Sequence, residues 1–152
     1  MSTRQLEGTV DGVDRRILDE LAKDGRLSMR ALAERLHISR ANAYARVERL
    51  QSAGVIRGYH ADIDPELSGL RTTAYVTVNI RQADWRTIRE GLRSLPGVIH
   101  IGLVGGEFDL ILLVRAQDNA DLRHLVLDRI QGMEGVLNTR TLLVFEEPQP
   151  LK

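Results

Sequence analysis

The sequence predicts an α+β protein of two small domains, and three observations carry that reading. Apolar residues recur at helical spacing from about Val13 to Leu50, they alternate at period 2 from Thr72, and a break at Asp64-Pro65 and Gly69 separates the two patterns. A chain of 152 residues with 43% hydrophobic residues has room for one ordinary domain or two small ones and is not disordered. We expect a helical domain over 1–61, a linker over 62–71 and a sheet-bearing domain over 72–152.

Taken in order, residues Met1 to Gly8 are polar and are expected to be loosely held. Asp11 or Asp14 can then cap a helix carrying Val13, Ile17, Leu18 and Leu21 on one stripe, which stops at Asp24-Gly25. Ser28 caps a second helix, with Leu27 placed to staple onto Leu32 and with Leu32, Ala33 and Leu36 on one apolar face. A tight turn at His37 and Ile38 leads to Ser39, the cap of a third helix whose Ala43, Val47 and Leu50 point into the same small core. Gly54 ends that helix, and a strand is expected from Val55 to Ala61. Two short helices across a tight turn, a third helix as the remaining wall and a strand at once after them describe a winged helix-turn-helix.

The outer side of the third helix suggests a partner. At 100° per residue, Ala41, Ala45 and Glu48 lie furthest from the core, flanked by Asn42, Arg46 and Arg49 on one side and by Arg40 and Tyr44 on the other. Small residues at the apex permit close approach to a groove, and arginines meet phosphates and guanine edges. Five arginines stand between Arg35 and Arg57 against one acid, Glu48. Net charge is zero overall, yet residues 1–60 carry 11 Lys+Arg and 8 Asp+Glu, so the acidic partner is met by the front half. Ser39, Arg40, Asn42, Tyr44, Arg46 and Arg49 are the candidate contacts to double-stranded DNA. The competing reading is a solvated basic face on an ordinary helical subdomain.

In the rear half, Ala74, Val76, Val78 and Ile80 alternate with Thr73, Tyr75, Thr77 and Asn79 in a half-buried strand. A helix with Trp85, Ile88, Leu92 and Leu95 on one stripe stops at Pro96-Gly97. Strands from Val98 to Val104 and from Phe108 to Arg115 follow, joined by a Gly105-Gly106 turn. A second helix carries Leu122, Leu125, Val126 and Ile130 and stops at Gly132, before a last strand from Val136 to Phe145. Leu95-Pro96-Gly97-Val98 and Met133-Glu134-Gly135-Val136 occupy equivalent places, an echo that suggests a duplicated half-domain. The order βαββαβ predicts a ferredoxin-like sheet with both helices on one face. Its other face would show Thr73, Tyr75, Thr77 and Asn79, with Leu137, Thr139, Thr141, Leu143 and Phe145 as the candidate set from the last strand. A partly apolar face of that kind is usually covered, so at least a dimer is expected, which suits paired DNA half-sites.

Several function classes find no support. Cysteine is absent, which removes thiol nucleophiles, disulfides and thiolate metal sites. His37, His60, His100 and His124 lack metal-ligand spacing, so no metal is expected. No G-x-S-x-G, P-loop or Rossmann fingerprint occurs, so no catalytic residues and no cofactor are assigned, and a small amino-acid-binding enzyme or enzyme subunit with a helical appendage is the rival reading. The Gly-Gly-Glu-Phe letters match part of the diguanylate cyclase motif but lack its second acid. With no signal-peptide core and no membrane-length apolar run, a cytoplasmic, nucleoid-associated location is expected.

Taken together the two halves resemble the Lrp/AsnC family, the leucine-responsive or feast/famine transcription regulators. The resemblance lies in Asp14-Arg15-Arg16-Ile17-Leu18, Asp24-Gly25-Arg26, Leu32-Ala33, Ile38-Ser39, Arg46-Val47-Glu48-Arg49-Leu50 and Gly54-Val55-Ile56-Arg57-Gly58-Tyr59. It continues in Leu95-Pro96-Gly97-Val98, Gly106-Glu107-Phe108-Asp109 and Thr139-Arg140-Thr141, and so covers nearly the whole chain. It implies operator binding by the front domain, dimers that often close into octamers as tetramers of dimers through the rear domain, and an amino acid sensed between dimers. Two positions depart from the pattern. His37 stands where the turn usually has Gly and must accept a strained or left-handed backbone, and Gly105 replaces a Thr, removing its hydroxyl. The resemblance points to Gly105, Gly106, Glu107, Phe108 and Asp109 as the effector site: unscreened glycine N–H groups can cradle a carboxylate and Asp109 can pair with an ammonium. Thr139 and Thr141 are the accompanying candidates.

Overall fold

A computed structural model describes residues 10–146; the polar N-terminal residues through Gly8 lie outside the described residues. The chain divides into two compact units, the break falling between Asp62 and Ile63. No helix among the described residues is long and apolar enough to cross a membrane.

The front unit is a three-helix helix-turn-helix: α1 (Gly12–Lys23), α2 (Met29–Leu36) and α3 (Arg40–Ser52). Each start is capped as its sequence implies. Asp11 accepts the N–H groups of Val13 and Asp14 in a capping box closed by the Asp14 side chain, Ser28 accepts from Ala31, and Ser39 from Asn42. Ile17, Leu21, Leu32, Leu36, Val47 and Leu50 form the core. His37 closes α2 at φ 54° and ψ 44°, the left-handed cap expected of the turn, with its N–H donating to the carbonyls of Ala33 and Glu34.

The strand expected from Val55 to Ala61 is not formed. Val55 and Ile56 instead donate their N–H groups to the Leu50 carbonyl at 2.9 and 3.1 Å and pack onto the core. A strand needs a pairing segment, and the front unit offers none among the described residues.

The core of the front unit also holds a charge. The Asp14 carboxylate is fully buried, with Oδ1 at 2.8 Å from Arg46 Nη1 and Oδ2 at 2.6 Å from Arg49 Nη2 and 2.9 Å from the Asp11 N–H. Asp11 adds a contact of 2.6 Å to Arg46 Nη1. Burial pushes the Asp14 carboxyl up, but the Asp11 N–H and the two guanidinium groups outweigh it and lower its pKa to about 2.

The rear unit contains β1 (Thr72–Ile80), α4 (Trp85–Arg93), β2 (Val98–Leu103), β3 (Leu110–Ala116), α5 (Asn119–Arg123) running on into a π-helical turn (His124–Ile130), and β4 (Val136–Val144). The sheet is antiparallel in the order β2-β3-β1-β4, the ferredoxin-like arrangement. Ala74, Val76, Val78 and Ile80 meet Leu110, Leu112 and Val114 on one face, under Ile88 and Leu92 of α4 and Leu122, Leu125, Val126 and Ile130 of the second helical segment. The echoed Leu-Pro-Gly-Val and Met-Glu-Gly-Val turns do the same work. Gly97 and Gly135 have φ of 92° and 87°, and a Cβ on Gly97 would stand 2.6 Å from the Arg115 carbonyl oxygen.

Register corrects one expectation. Tyr75 pairs with Leu142, Thr77 with Arg140 and Asn79 with Asn138, so the open face takes Asn138, Arg140 and Leu142 from β4. Thr139, Thr141 and Leu143 pair with Val78, Val76 and Ala74, on the helix side, and Leu137 and Phe145 fall outside the paired register. The period-2 pattern names two alternating sets, and only the pairing partner decides which faces the helices.

The buried ion cluster generates a stability prediction. Asp14→Asn should lower the stability of the front unit by about 3 kcal/mol, the low end for breaking a buried pair because both guanidiniums can still reach water. Since the Asp14 pKa is depressed from 3.8 to about 2, its contribution is complete above the ordinary value and is lost as pH falls toward 2. Urea unfolding at pH 7 and pH 3 checks both, with the fluorescence of Trp85, the one tryptophan, reporting the rear unit separately.

Candidate nucleic-acid interface and effector turn

On α3 the small residues Ala41 and Ala45 form an exposed apex, and Arg40, Asn42 and Tyr44 stand around it, Tyr44 being 58% exposed. Ser39, placed among the candidate contacts, spends its hydroxyl on the cap, accepting the Asn42 N–H at 3.1 Å. The expected basic flank is altered by acids that come from elsewhere in the chain. Arg46 is only 22% exposed and turns its guanidinium to Asp11 and Asp14, while Arg49 binds Asp14 and remains 44% exposed. Arg35 is paired with Glu20 at 2.8 Å. Of the five arginines between positions 35 and 57, Arg40 and Arg57 have no acidic partner among the described residues. Counting charge along one stretch missed this, because the neutralising acids lie on α1; the signal available was the buried stripe position of Asp14, three residues before Ile17.

The rear unit's turn is pinned to the end of β1. Asn79 Nδ2 donates to the Glu107 carbonyl at 2.8 Å, the Asp109 N–H to the Val78 carbonyl at 3.1 Å, and the Ile80 N–H to Asp109 Oδ2 at 2.9 Å. One oxygen of the carboxylate expected to meet an ammonium therefore caps the backbone. Gly105, Gly106 and Glu107 are exposed, Gly106 has φ 132°, and no hydrogen bond among the described residues engages the three N–H groups. Phe108 lies under the Arg140 guanidinium, 5.8 Å from the ring centroid. The structure thus brings Arg140 to the turn, whereas Thr139 and Thr141 sit across from Val78 and Val76 with no hydrogen bond to it. Sequence reasoning passed over Arg140 between the two threonines, and the alternation of β4 was the signal that could have found it.

No group of three His, Cys, Asp or Glu residues among the described residues is arranged to hold a metal. His37 is the helix cap already described, and His124 pairs with Asp128 at 2.7 Å.

Comparison with known proteins agrees with this architecture. Residues 73–151 match the Lrp/AsnC ligand binding domain model, and residues 10–57 match a winged helix-turn-helix DNA-binding model. The chain is 39% identical over 140 residues to the HTH-type transcriptional regulator AldR of Mycolicibacterium smegmatis, covering 90% of this chain and 82% of that protein. Among solved structures it resembles Escherichia coli AsnC, with a TM-score of 0.83 at 25% identity, covering 94% of this chain and 97% of that one. It also resembles a Neisseria meningitidis transcriptional regulator in complex with L-methionine, with a TM-score of 0.84 at 29% identity, covering 95% and 97%. The first and third of these are named as transcriptional regulators, which together with the DNA-binding model supports the regulator reading over the enzyme-subunit one. A winged helix-turn-helix domain joined to a ferredoxin-like ligand-binding domain makes this chain a member of the Lrp/AsnC family of DNA-binding transcriptional regulators.

Proposed function

We propose that this regulator works at the nucleoid, inserts α3 into the major groove of double-stranded DNA, and adjusts its assembly or its DNA affinity to an amino acid bound at the Gly105 to Asp109 turn. The observation that carries the DNA part is the exposed apex of Ala41 and Ala45 beside Arg40, a cation left without an acidic partner while its neighbours are neutralised. Arg40 and, at the edge of the ion cluster, Arg49 are the phosphate-facing arginines; Asn42 and Tyr44 reach the groove. Arg40→Ala should weaken binding across all sequences and reduce the slope of log affinity against log salt by about 1. Arg46→Ala should act mainly by loosening α3. Gel-shift titrations at several salt concentrations, beside melting curves, separate the two.

Assembly is carried by the open sheet face, where Tyr75 and Leu142 are 42% and 51% exposed across one register pair. Two such faces packed together give the dimer, and dimers close into an octamer as a tetramer of dimers. Leu142→Glu should convert the sedimenting species to monomer with the front unit still folded.

The effector part rests on free N–H groups at Gly105, Gly106 and Glu107 near the Arg140 guanidinium, which suit a carboxylate, and on the Glu107 side chain and Asp109 Oδ1, which suit an ammonium. A relative's complex with L-methionine supports an amino acid as the ligand class. A ligand shifts an assembly equilibrium only by its differential affinity for the two states, and a turn at a subunit interface provides such a difference. Calorimetry across the amino acids should find one that binds, and Arg140→Gln should weaken it about tenfold, as expected for loss of a charge-assisted contact. Asp109→Ala is the poorer probe, since it also uncaps the Ile80 N–H. No heat with any amino acid and an unaltered oligomer distribution would reject this reading.

A further inference from the structure

The ion cluster continues one residue beyond the acids. Arg46 Nη1 is shared by Asp11 Oδ2 at 2.6 Å and Asp14 Oδ1 at 2.8 Å, and its Nε donates to Asn42 Oδ1 at 2.9 Å. A guanidinium has donors only, so the amide atom facing Nε must be the oxygen, and the Asn42 orientation is chemically forced. The buried Asp14 carboxylate holds Arg46, which in turn holds the amide. Asn42 is itself exposed on α3, and its Nδ2 has no hydrogen-bond partner among the described residues.

An asparagine that is free to rotate contacts adenine at two points, donating to N7 and accepting from N6. Guanine instead offers two acceptors, O6 and N7. With one lone pair of its oxygen taken by Arg46 Nε and that oxygen held toward the arginine, Asn42 has its two Nδ2 donors as the groups left for a base edge. We propose that Arg46 is a positioning residue that holds the Asn42 amide with its oxygen toward the arginine and its donors toward the base, so that the base pair it faces is preferred with guanine, rather than adenine, on the contacted strand. The inference rests on α3 being the helix that enters the groove, and it assigns the specificity of one position within it.

Selection of bound sequences from a random DNA library by the full chain tests it. The wild-type protein should enrich guanine at one base pair by roughly fivefold or more, the discrimination of a good base contact. Asn42→Asp keeps an acceptor for Arg46 Nε and so should keep the melting temperature, yet it removes both donors and should abolish the preference at that position alone; neutral Asn42→Ala should abolish it too. Arg46→Lys, which cannot hold three acceptors in a planar fork, should let adenine appear at the same position. If Arg46→Lys does not fold, the Asn42 pair still decides the matter. Adenine enriched at an Asn42-dependent position by the wild type, or a sequence preference unchanged in both Asn42 variants, would overturn the donor assignment while leaving DNA binding intact. An absence of any enrichment by the wild type would overturn it together with the placement of α3 in the groove.

Discussion

The front unit depends on one buried carboxylate. Asp14 sits where the stripe of α1 would otherwise carry an apolar residue, and its charge is tolerable there only because two guanidiniums and a backbone N–H meet its oxygens. Arginine forks are directional, so the arrangement ties Arg46 and Arg49 of α3 to the first turn of α1. It also draws the Arg46 guanidinium inward, while Arg49 keeps 44% of its side chain exposed at the edge of the cluster. A helix that looks uniformly basic along the chain presents a more selective surface: small residues at the apex, Arg40 at the start, and polar groups whose orientation the core constrains.

In the rear unit the equivalent constraint is the closure of the turn after β2 onto the end of β1. Asp109 gives one oxygen to the Ile80 N–H and Asn79 reaches back to the Glu107 carbonyl, so the turn is tied to the end of β1 while no hydrogen bond among the described residues engages the N–H groups of its exposed glycines. An exposed turn that is rigid loses little entropy on meeting a ligand. Its neighbour Arg140 belongs to the same open face as Tyr75 and Leu142, so the groups suited to a carboxylate and the groups suited to a second copy of the chain lie on one continuous side of the sheet. On the reading proposed above, that adjacency is the physical route by which ligand and assembly would influence each other.

Most of the architecture was legible along the chain, for local reasons. Ser28 and Ser39 cap the helices at the expected residues, the helical and alternating stripes supply both cores, and His37 takes the left-handed one of the two conformations that its place at the family's usual glycine implied. The paired Pro-Gly and Glu-Gly turns take equivalent places in the two halves, and glycine suits both: each has a positive φ, and a Cβ would crowd the Arg115 carbonyl at Gly97 and the Asp84 side chain at Gly135. Capping, periodicity and turn chemistry act within a few residues, which is why residue order alone determined the three front helices, the βαββαβ order of the rear unit, the two-part organisation and the outward side of α3.

Tertiary structure decided what depends on residues far apart in the chain. The segment from Val55 to Ala61 has strand composition but no partner among the described residues, and composition cannot supply one. Thr139 and Thr141 alternate correctly, yet pairing with β1 turns them to the helix side and puts Arg140 at the turn instead. Arg46 and Arg49 read as free cations until α1 brings Asp11 and Asp14 within 2.8 Å of them. Strand register, face and ion pairing are set by which distant segments meet, and the chain's local pattern is compatible with more than one such meeting.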